Sequence, residues 1–417
     1  MATQSSSLNH WAKVLTQTLT AHHKTMLEQL HTLCSIPSGS HQLQGLAHMH
    51  EALKHLFEPL VDKTETHALP PVPTISLTGE ETHTPVGALL YLRKRPHLKR
   101  RVLLSGHMDT VFGEQHHITK LTTSTKGRLK GPGVSDMKGG LLVILHALQA
   151  FEATPFAETL GWDVIISADE ELGSPASRVF LEKIRTRYQA ALVYEPAVTP
   201  EGGFAKNRKG SGKFTLIARG KTAHAGRAFN KGRNAIPYLA EVLVAIHALN
   251  NNDRNITFNI GEIAGGEALN IVPDTAVAKL DIRIRLSEDE AWVNDVLNSI
   301  IKQFAREGYH LQLHGSFARP VKRVNPESEA LFKRLQHLGG MQGLNFDWED
   351  TGGCCDGNNL AHPGLAVLDT LGVRGGAIHS SDEFIITESL VERASLSALL
   401  LVDLARGELE NVSQSNT

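Results

Sequence analysis

The chain has 417 residues, more than one hydrophobic core usually supports, so two domains are expected. Its 41% hydrophobic content, 21% charged content and net charge of −2 describe an ordinary globular protein and give no reason to expect nucleic acid or an anionic membrane as a partner. Three cysteines, Cys34, Cys354 and Cys355, cannot form a disulfide framework, which points to a reducing, cytoplasmic location.

The N-terminal segment lacks a continuous apolar core followed by a small-residue cleavage site, so no signal peptide is expected. No apolar run approaches the roughly 18–20 residues that span a bilayer. In chain order, apolar residues at helical spacing predict helices over 11–33 and 43–57. Strands are expected at 74–77, 87–92 and 102–105. The last two are joined by the basic run 93–101, read as a solvated hairpin tip because it holds no Phe, Tyr or Trp to stack a base. A helix follows over 139–151. Before it, Gly131-Pro-Gly resembles part of a dinucleotide fingerprint, but Asp136 fills the third glycine position, which argues against a nucleotide site.

From Lys213 the rhythm changes to strand 214–218, helix 235–249, strands 256–260 and 275–285, helix 288–307 and strand 310–313. This β-α-β-β-α-β order is that of a ferredoxin-like unit. The expected fold is α/β. A mixed, mostly parallel sheet with helices on both faces is formed by residues 1–210 and 320–417, and an α+β domain is inserted over 211–319.

The chemistry-bearing residues recur at strand ends. The apolar run 101–106 ends in His107-Met-Asp109, whose i and i+2 positions share a strand face, so Asp109 can orient His107 as a ligand. Taken alone, the pair fits an ordinary polar strand end equally well. Asp136, Asp169-Glu170-Glu171, Glu195 and His379 then follow, most of them after an apolar run, and ligands gather outside the carboxyl ends of strands in an open parallel sheet. Imidazoles and carboxylates at 107, 136, 171, 195 and 379 suit two borderline metal ions. Two divalent cations would be balanced by Asp136, Glu171, Glu195 and one bridging hydroxide, whereas an uncompensated carboxylate cluster would protonate or push the fold apart. The pairs His22-His23 and His116-His117 have no such strand context and are left out of the candidate set.

The runs Ser105-Gly-His-Met-Asp-Thr-Val, Gly131-Pro-Gly-Val-Ser-Asp-Met-Lys-Gly-Gly and Asp169-Glu-Glu-Leu-Gly-Ser, with His379 near the C-terminus, occur in one order over nearly the whole chain. They resemble the zinc-dependent exopeptidases and amidohydrolases that include bacterial glutamate carboxypeptidase, acetylornithine deacetylase, succinyl-diaminopimelate desuccinylase and aminoacylase. The resemblance implies two zinc ions per chain, with cobalt or manganese as substitutes. Asp136 would bridge them, with His107 and Glu195 on one ion and Glu171 and His379 on the other. It implies Glu170 as general base, Asp109 as the residue orienting His107, and amide hydrolysis by a metal-bridging hydroxide.

The same resemblance makes the inserted domain a lid and dimerisation domain. His224, in Lys221-Thr-Ala-His-Ala-Gly, would reach the active site of a partner copy as an oxyanion donor. Asn270 and Arg283 match substrate-contacting positions, with Arg285 on the same strand face, and an Arg fork suits a carboxylate. The turn Thr351-Gly352-Gly353-Cys354-Cys355 can bring backbone N–H groups to an anion, though small residues are more usual than cysteines there. A thiol nucleophile is conceivable but redundant beside a metal-water nucleophile. Glu195 and Arg283 point toward carboxypeptidases that release glutamate from a small peptide or acyl conjugate. The alternatives are an N-acyl amino acid deacylase, of acetylornithine or succinyl-diaminopimelate type, and an inert metal-binding dimer.

Overall fold

The computed structural model describes residues 2–113, 121–124 and 127–407, so the His116-His117 pair lies outside the described residues. A six-stranded sheet organises the larger domain, in the order Lys63–His67, Leu89–Lys94, Gly161–Ser167, Arg101–His107, Ala190–Val193, Ala366–Leu368. The last four strands run parallel, and the first two are antiparallel additions at one edge. Both central strands are buried along their whole length, which explains their nearly continuous apolar sequence.

Alternation along each strand divides the core into two layers. Val102, Leu104, Val164, Ile166 and Leu192 face the helices Ala2–Cys34, Gly140–Glu152 and Ser389–Ala405. Leu103, Ile165, Ala191 and Val193 face Leu181 and Ile184 of the helix Ser177–Ile184, together with Leu360. A period of two places neighbouring residues on opposite faces, so one strand serves both layers. Leu104 is fully buried, and its truncation to Ala should cost about 2–5 kcal/mol.

The basic run departs from its expected role. Leu89–Lys94 and Arg101–His107 are not hairpin partners, because Gly161–Ser167 pairs with both and lies between them. Arg95 and Arg101 are each only 5% exposed, held by Glu152 and Asp163 respectively. Their charges are spent on fixing the crossover, since a buried guanidinium without an acid would be strongly destabilising.

The inserted domain has a sheet of its own, ordered Thr257–Gly265, Thr275–Ile284, Gly210–Arg219, His310–Arg319, with every pairing antiparallel. Phe214, Leu216 and Ala218 point to a second core, where they meet Tyr238, Leu239 and Val242 of the helix Ala235–Ala248 and Val293 and Leu297 of the helix Asp289–Gln303. The fold is therefore α/β with a ferredoxin-like domain inserted in it. Among the described residues no helix is long and apolar enough to cross a membrane, and all three cysteines are free.

Candidate active site and metal centre

Three adjacent parallel strands deliver the site at one edge of the large sheet. Arg101–His107 ends in His107 itself, Gly161–Ser167 leads into Asp169-Glu170-Glu171, and Ala190–Val193 leads to Glu195. Asp136 comes from an irregular turn that follows Gly133, whose left-handed φ of 68° a side chain rarely adopts. His379 lies in a loop after the two-residue bridge at Gly375–Gly376, not at the end of a main-sheet strand, and it holds a left-handed φ of 62°. That conformation is costly outside glycine and persists only where surrounding contacts hold it.

These side chains meet around Asp136. One carboxylate oxygen lies 3.1 Å from His107 Nε2 and the other 3.3 Å from His379 Nε2. His379 Nε2 is also 3.3 Å from Glu171 Oε2, and His107 Nε2 is 3.8 Å from Glu195 Oε1. Ligand atoms of His107, Asp136 and Glu171 lie within 4.8 Å of one another, as do those of His107, Glu170 and Glu195. Glu171 Oε1 is buried with no hydrogen-bond partner among the described residues. An orphaned anionic oxygen inside a His and carboxylate cluster is what a divalent cation would satisfy, so the donor set fits the expected ions.

The electrostatics agree. Burial pushes the carboxyl groups of Glu171 and Glu195 upward against the opposing pull of His379 and His107. Burial also raises Asp136, but hydrogen bonds from His107 and His379 win and hold it below the usual carboxylate range. His379 is pushed up to about 10 by its hydrogen bonds to Asp136 and Glu171. Burial works to lower His107, yet its acidic neighbours Asp109, Asp136 and Glu195 carry it well above the ordinary imidazole value. Without a metal, protons on the two imidazoles supply the positive charge that the carboxylates demand.

Asp109 does more than the expected role of lying against His107. His107 Nδ1 meets the Asp109 backbone carbonyl at 2.9 Å and its carboxylate only at 3.4 Å. The carboxylate accepts the Ser40 hydroxyl at 2.8 Å and the backbone N–H groups of Glu170 and Glu171 at 3.2 and 3.1 Å. It therefore fixes the turn that aims both glutamates, in addition to lying beside His107.

Two residues escaped the sequence reading. Arg319, the last residue of the inserted domain's final strand, donates to Glu170 Oε1 at 2.6 Å, to the Glu170 carbonyl at 2.8 Å and to the Ser174 hydroxyl. Burial raises the Glu170 carboxyl well above its ordinary value, with Arg319 opposing. Glu383 accepts backbone N–H bonds from Gly133, Ser135 and Asp136, and so holds the turn carrying Asp136. Its spacing of four from His379 is the one sequence signal that could have drawn attention to it.

The cluster opens into a cavity of about 480 Å³ that also reaches Arg208, Gly353 and Cys354. Arg283 lies at the seam between the domains, donating to Asp281 at 3.0 Å and to Cys354 Sγ at 3.1 Å. Gly353 lines this cavity and Gly352 a neighbouring crevice. Burial raises both thiols, so Cys354 and Cys355 are held as neutral thiols, unsuited to nucleophilic attack. His224 and Asn270 are exposed on the inserted domain, beside the bridge that pairs Ala223–His224 with Ile271–Val272. Neither has a hydrogen bond to the acidic cluster of its own chain among the described residues. His224 Nδ1 accepts the N–H groups of Gly226 and Arg227, which leaves Nε2 to carry the proton.

A family model described as a peptidase dimerisation domain matches residues 207–308. Carboxypeptidase G2 of Pseudomonas sp. (strain RS-16) is 26% identical over 315 residues, covering 74% of this chain and 75% of that protein. A succinyl-diaminopimelate desuccinylase of Verminephrobacter eiseniae is 28% identical over 302 residues, covering 69% of this chain and 74% of that protein. The crystal structure of an M20 family metallo-carboxypeptidase from Sulfolobus solfataricus aligns with a TM-score of 0.71 at 17% identity, covering 91% of this chain and 99% of that one, a likeness of fold.

Proposed function

We propose, because this chain is a member of the M20 family of metallopeptidases and amidohydrolases, that it is a zinc-dependent carboxypeptidase cleaving an amide to release a C-terminal amino acid, glutamate foremost. The observation that carries this reading is Asp136 set between the imidazoles of His107 and His379, with Glu170 beside them in Arg319's grip. His107 and Glu195 would hold one ion, Glu171 and His379 the other, with Asp136 bridging. Divalent ions held there lower the pKa of water and polarise a carbonyl oxygen.

Glu170 is the base. Its buried carboxyl, raised in pKa, takes a proton from the attacking water and returns it to the departing amine. Arg319 fixes the oxygen that does not receive the proton, and Asp109 fixes the turn beneath it. Arg283 receives the α-carboxylate, and the Gly352-Gly353 turn presents backbone N–H groups beside it. His224 of a second copy donates from Nε2 to the developing oxyanion, with Asn270 next to it. Val244, Ile263 and Leu269 are 72%, 56% and 105% exposed on the inserted domain, which supports a homodimer formed through that face.

The deacylase alternative uses the same machinery and differs in the acyl group. Ala197, Val198, Pro200, Ala377, Ile378 and Phe384 give the cavity an apolar wall. Arg374, which donates to the Pro200 carbonyl, is paired with Glu392, and Arg128 stacks over the Phe384 ring 4.4 Å from its centroid. This apolar lining favours a neutral acyl group over a succinyl one.

Zinc-loaded protein should be assayed on N-acyl glutamates, N-acetylornithine, succinyl-diaminopimelate and dipeptides, with a chelated control. Chelator-sensitive release of glutamate is the expected result. Preference for acetylornithine or the succinyl substrate would replace the carboxypeptidase with a deacylase, and silence with metal bound would favour an inert binding protein.

A further inference from the structure

The inserted domain joins the larger one through two stretches of backbone, 208–211 and 319–322, that run side by side. Arg208 and Lys322 exchange backbone hydrogen bonds at 3.0 and 3.1 Å, and Ser211 stands opposite Arg319 in the inserted sheet. Between these pairs the ladder is interrupted, because Pro320 has no N–H to donate. A side chain of the larger domain fills the gap. Asn358, fully buried in the short helix Asp356–Leu360, donates from Nδ2 to the Lys209 carbonyl at 2.9 Å and to the Pro320 carbonyl at 2.8 Å. Its Oδ1 accepts the Cys355 N–H at 3.0 Å, which fixes the amide's orientation. One side chain therefore fastens both connections to the larger domain.

The same helix begins with Asp356, which reaches the last residue of the inserted domain's final strand. One Asp356 oxygen lies 3.5 Å from Arg319 Nη1 and accepts the Ser174 hydroxyl, whose oxygen accepts from Arg319 Nη2 at 3.0 Å. The other accepts the hydroxyl of Ser167, which ends a central strand of the large sheet, at 3.0 Å. Arg319, Asp356, Ser167 and Ser174 are all buried. A buried guanidinium needs acidic partners, and this one is shared between Glu170 on one side and Asp356 on the other. Gripped from both sides, it keeps the orientation that meets Glu170.

We infer that Asp356 and Asn358 are positioning residues for the base: Asn358 seats the inserted domain on the helix Asp356–Leu360, and Asp356 orients Arg319 so that it holds Glu170. The geometry of the base is thereby tied to how the inserted domain sits. This rests on the hydrolase reading above for the role of Glu170.

The test is a double-substitution cycle on zinc-loaded full-length protein with an N-acyl glutamate as substrate. Asp356→Asn, which keeps the shape and loses the charge, should lower kcat roughly 10–100-fold, with KM within about threefold and metal content unchanged. Made in the Arg319→Gln protein, the same substitution should lower kcat by less than about threefold further, because its effect runs through Arg319. Effects that multiply in full, a loss carried by KM alone, or a loss that follows lost metal overturns the assignment while leaving the hydrolase reading intact. Hydrogen exchange on Asn358→Leu reads the seating without turnover, and decides it even if the wild-type protein cleaves none of the substrates. Faster exchange at 209–212 and 319–322 together with the 169–174 turn, which Asn358 does not touch, upholds the coupling. Faster exchange confined to 354–360 overturns it. Should Asn358→Leu fail to fold, the Asp356 and Arg319 cycle alone decides.

Discussion

His107 is 1% exposed, with one ring nitrogen against a backbone carbonyl and the other against Asp136, whereas His224 lies on the surface with only Nδ1 engaged. The first belongs to a cluster assembled wholly from one chain. Its carboxylates are buried, its turns are tied down by Asp109 and Glu383, and Arg319 reaches it from the end of the inserted domain. The second presents a fixed tautomer to solvent, and its proton has no acceptor among the described residues of its own chain. The contrast teaches that one copy gathers the His and carboxylate cluster by itself, whereas the oxyanion role proposed for His224 requires another surface.

The sharpest break in that comparison is Glu170→Gln. Turnover should fall by roughly 10²–10⁴ while metal content stays near two per chain by elemental analysis. A variant that keeps its rate would remove the base from Glu170. For His379→Ala we expect metal content to fall as well as activity, because Asp136 and Glu171 would lose their shared imidazole. Unchanged occupancy would show that His379 is no ligand.

His224→Ala should lower kcat by about 10²–10³ without touching metal content, as loss of an oxyanion donor does. Mixing it with the Glu170→Gln protein should restore activity, since a hybrid dimer regains one site with both residues. No recovery, despite subunit exchange seen by mass spectrometry, would end the two-copy account.

Zinc uptake should release protons. His379 is raised from 6.5 to about 10 in the metal-free protein, so its ion pairs contribute stability fully below pH 6.5, and that contribution is lost as pH rises through about 10. His379 therefore carries its proton at pH 7, His107 is shifted in the same direction, and an imidazole must give up that proton to bind metal. Calorimetry in buffers of different ionisation enthalpy should report this release, and a buffer-independent heat would contradict it. The smallest effect is expected from Ser40→Ala, which removes one hydrogen bond to Asp109 and should cost about 0.5–1.5 kcal/mol in denaturant unfolding.

Much of this was legible in the chain itself. The alternation of the inserted domain's strands and helices, and the apolar runs that end beside acidic and His residues, are local signals read at fixed periods. Where the reading failed, the deciding partner was distant. The basic run 93–101 looks solvated until Glu152 and Asp163 are folded against Arg95 and Arg101. Asp109 reads as a partner for its neighbour His107, and only the fold shows that the turn from the next strand also sets two N–H groups on its carboxylate.

The sequence by itself determined which chemical groups are available and in what order, because periodicity and strand-end position depend on nearby residues. Only the tertiary structure decided which charges are spent and which remain free. Arg319 and Glu170 stand 149 residues apart, and Arg208 and Asp369 stand 161 apart. No local pattern links such pairs, yet they neutralise Arg208 and hold Glu170 in place. Pairing energy depends on distance and burial, and both are set only when segments far apart in the chain are folded against each other.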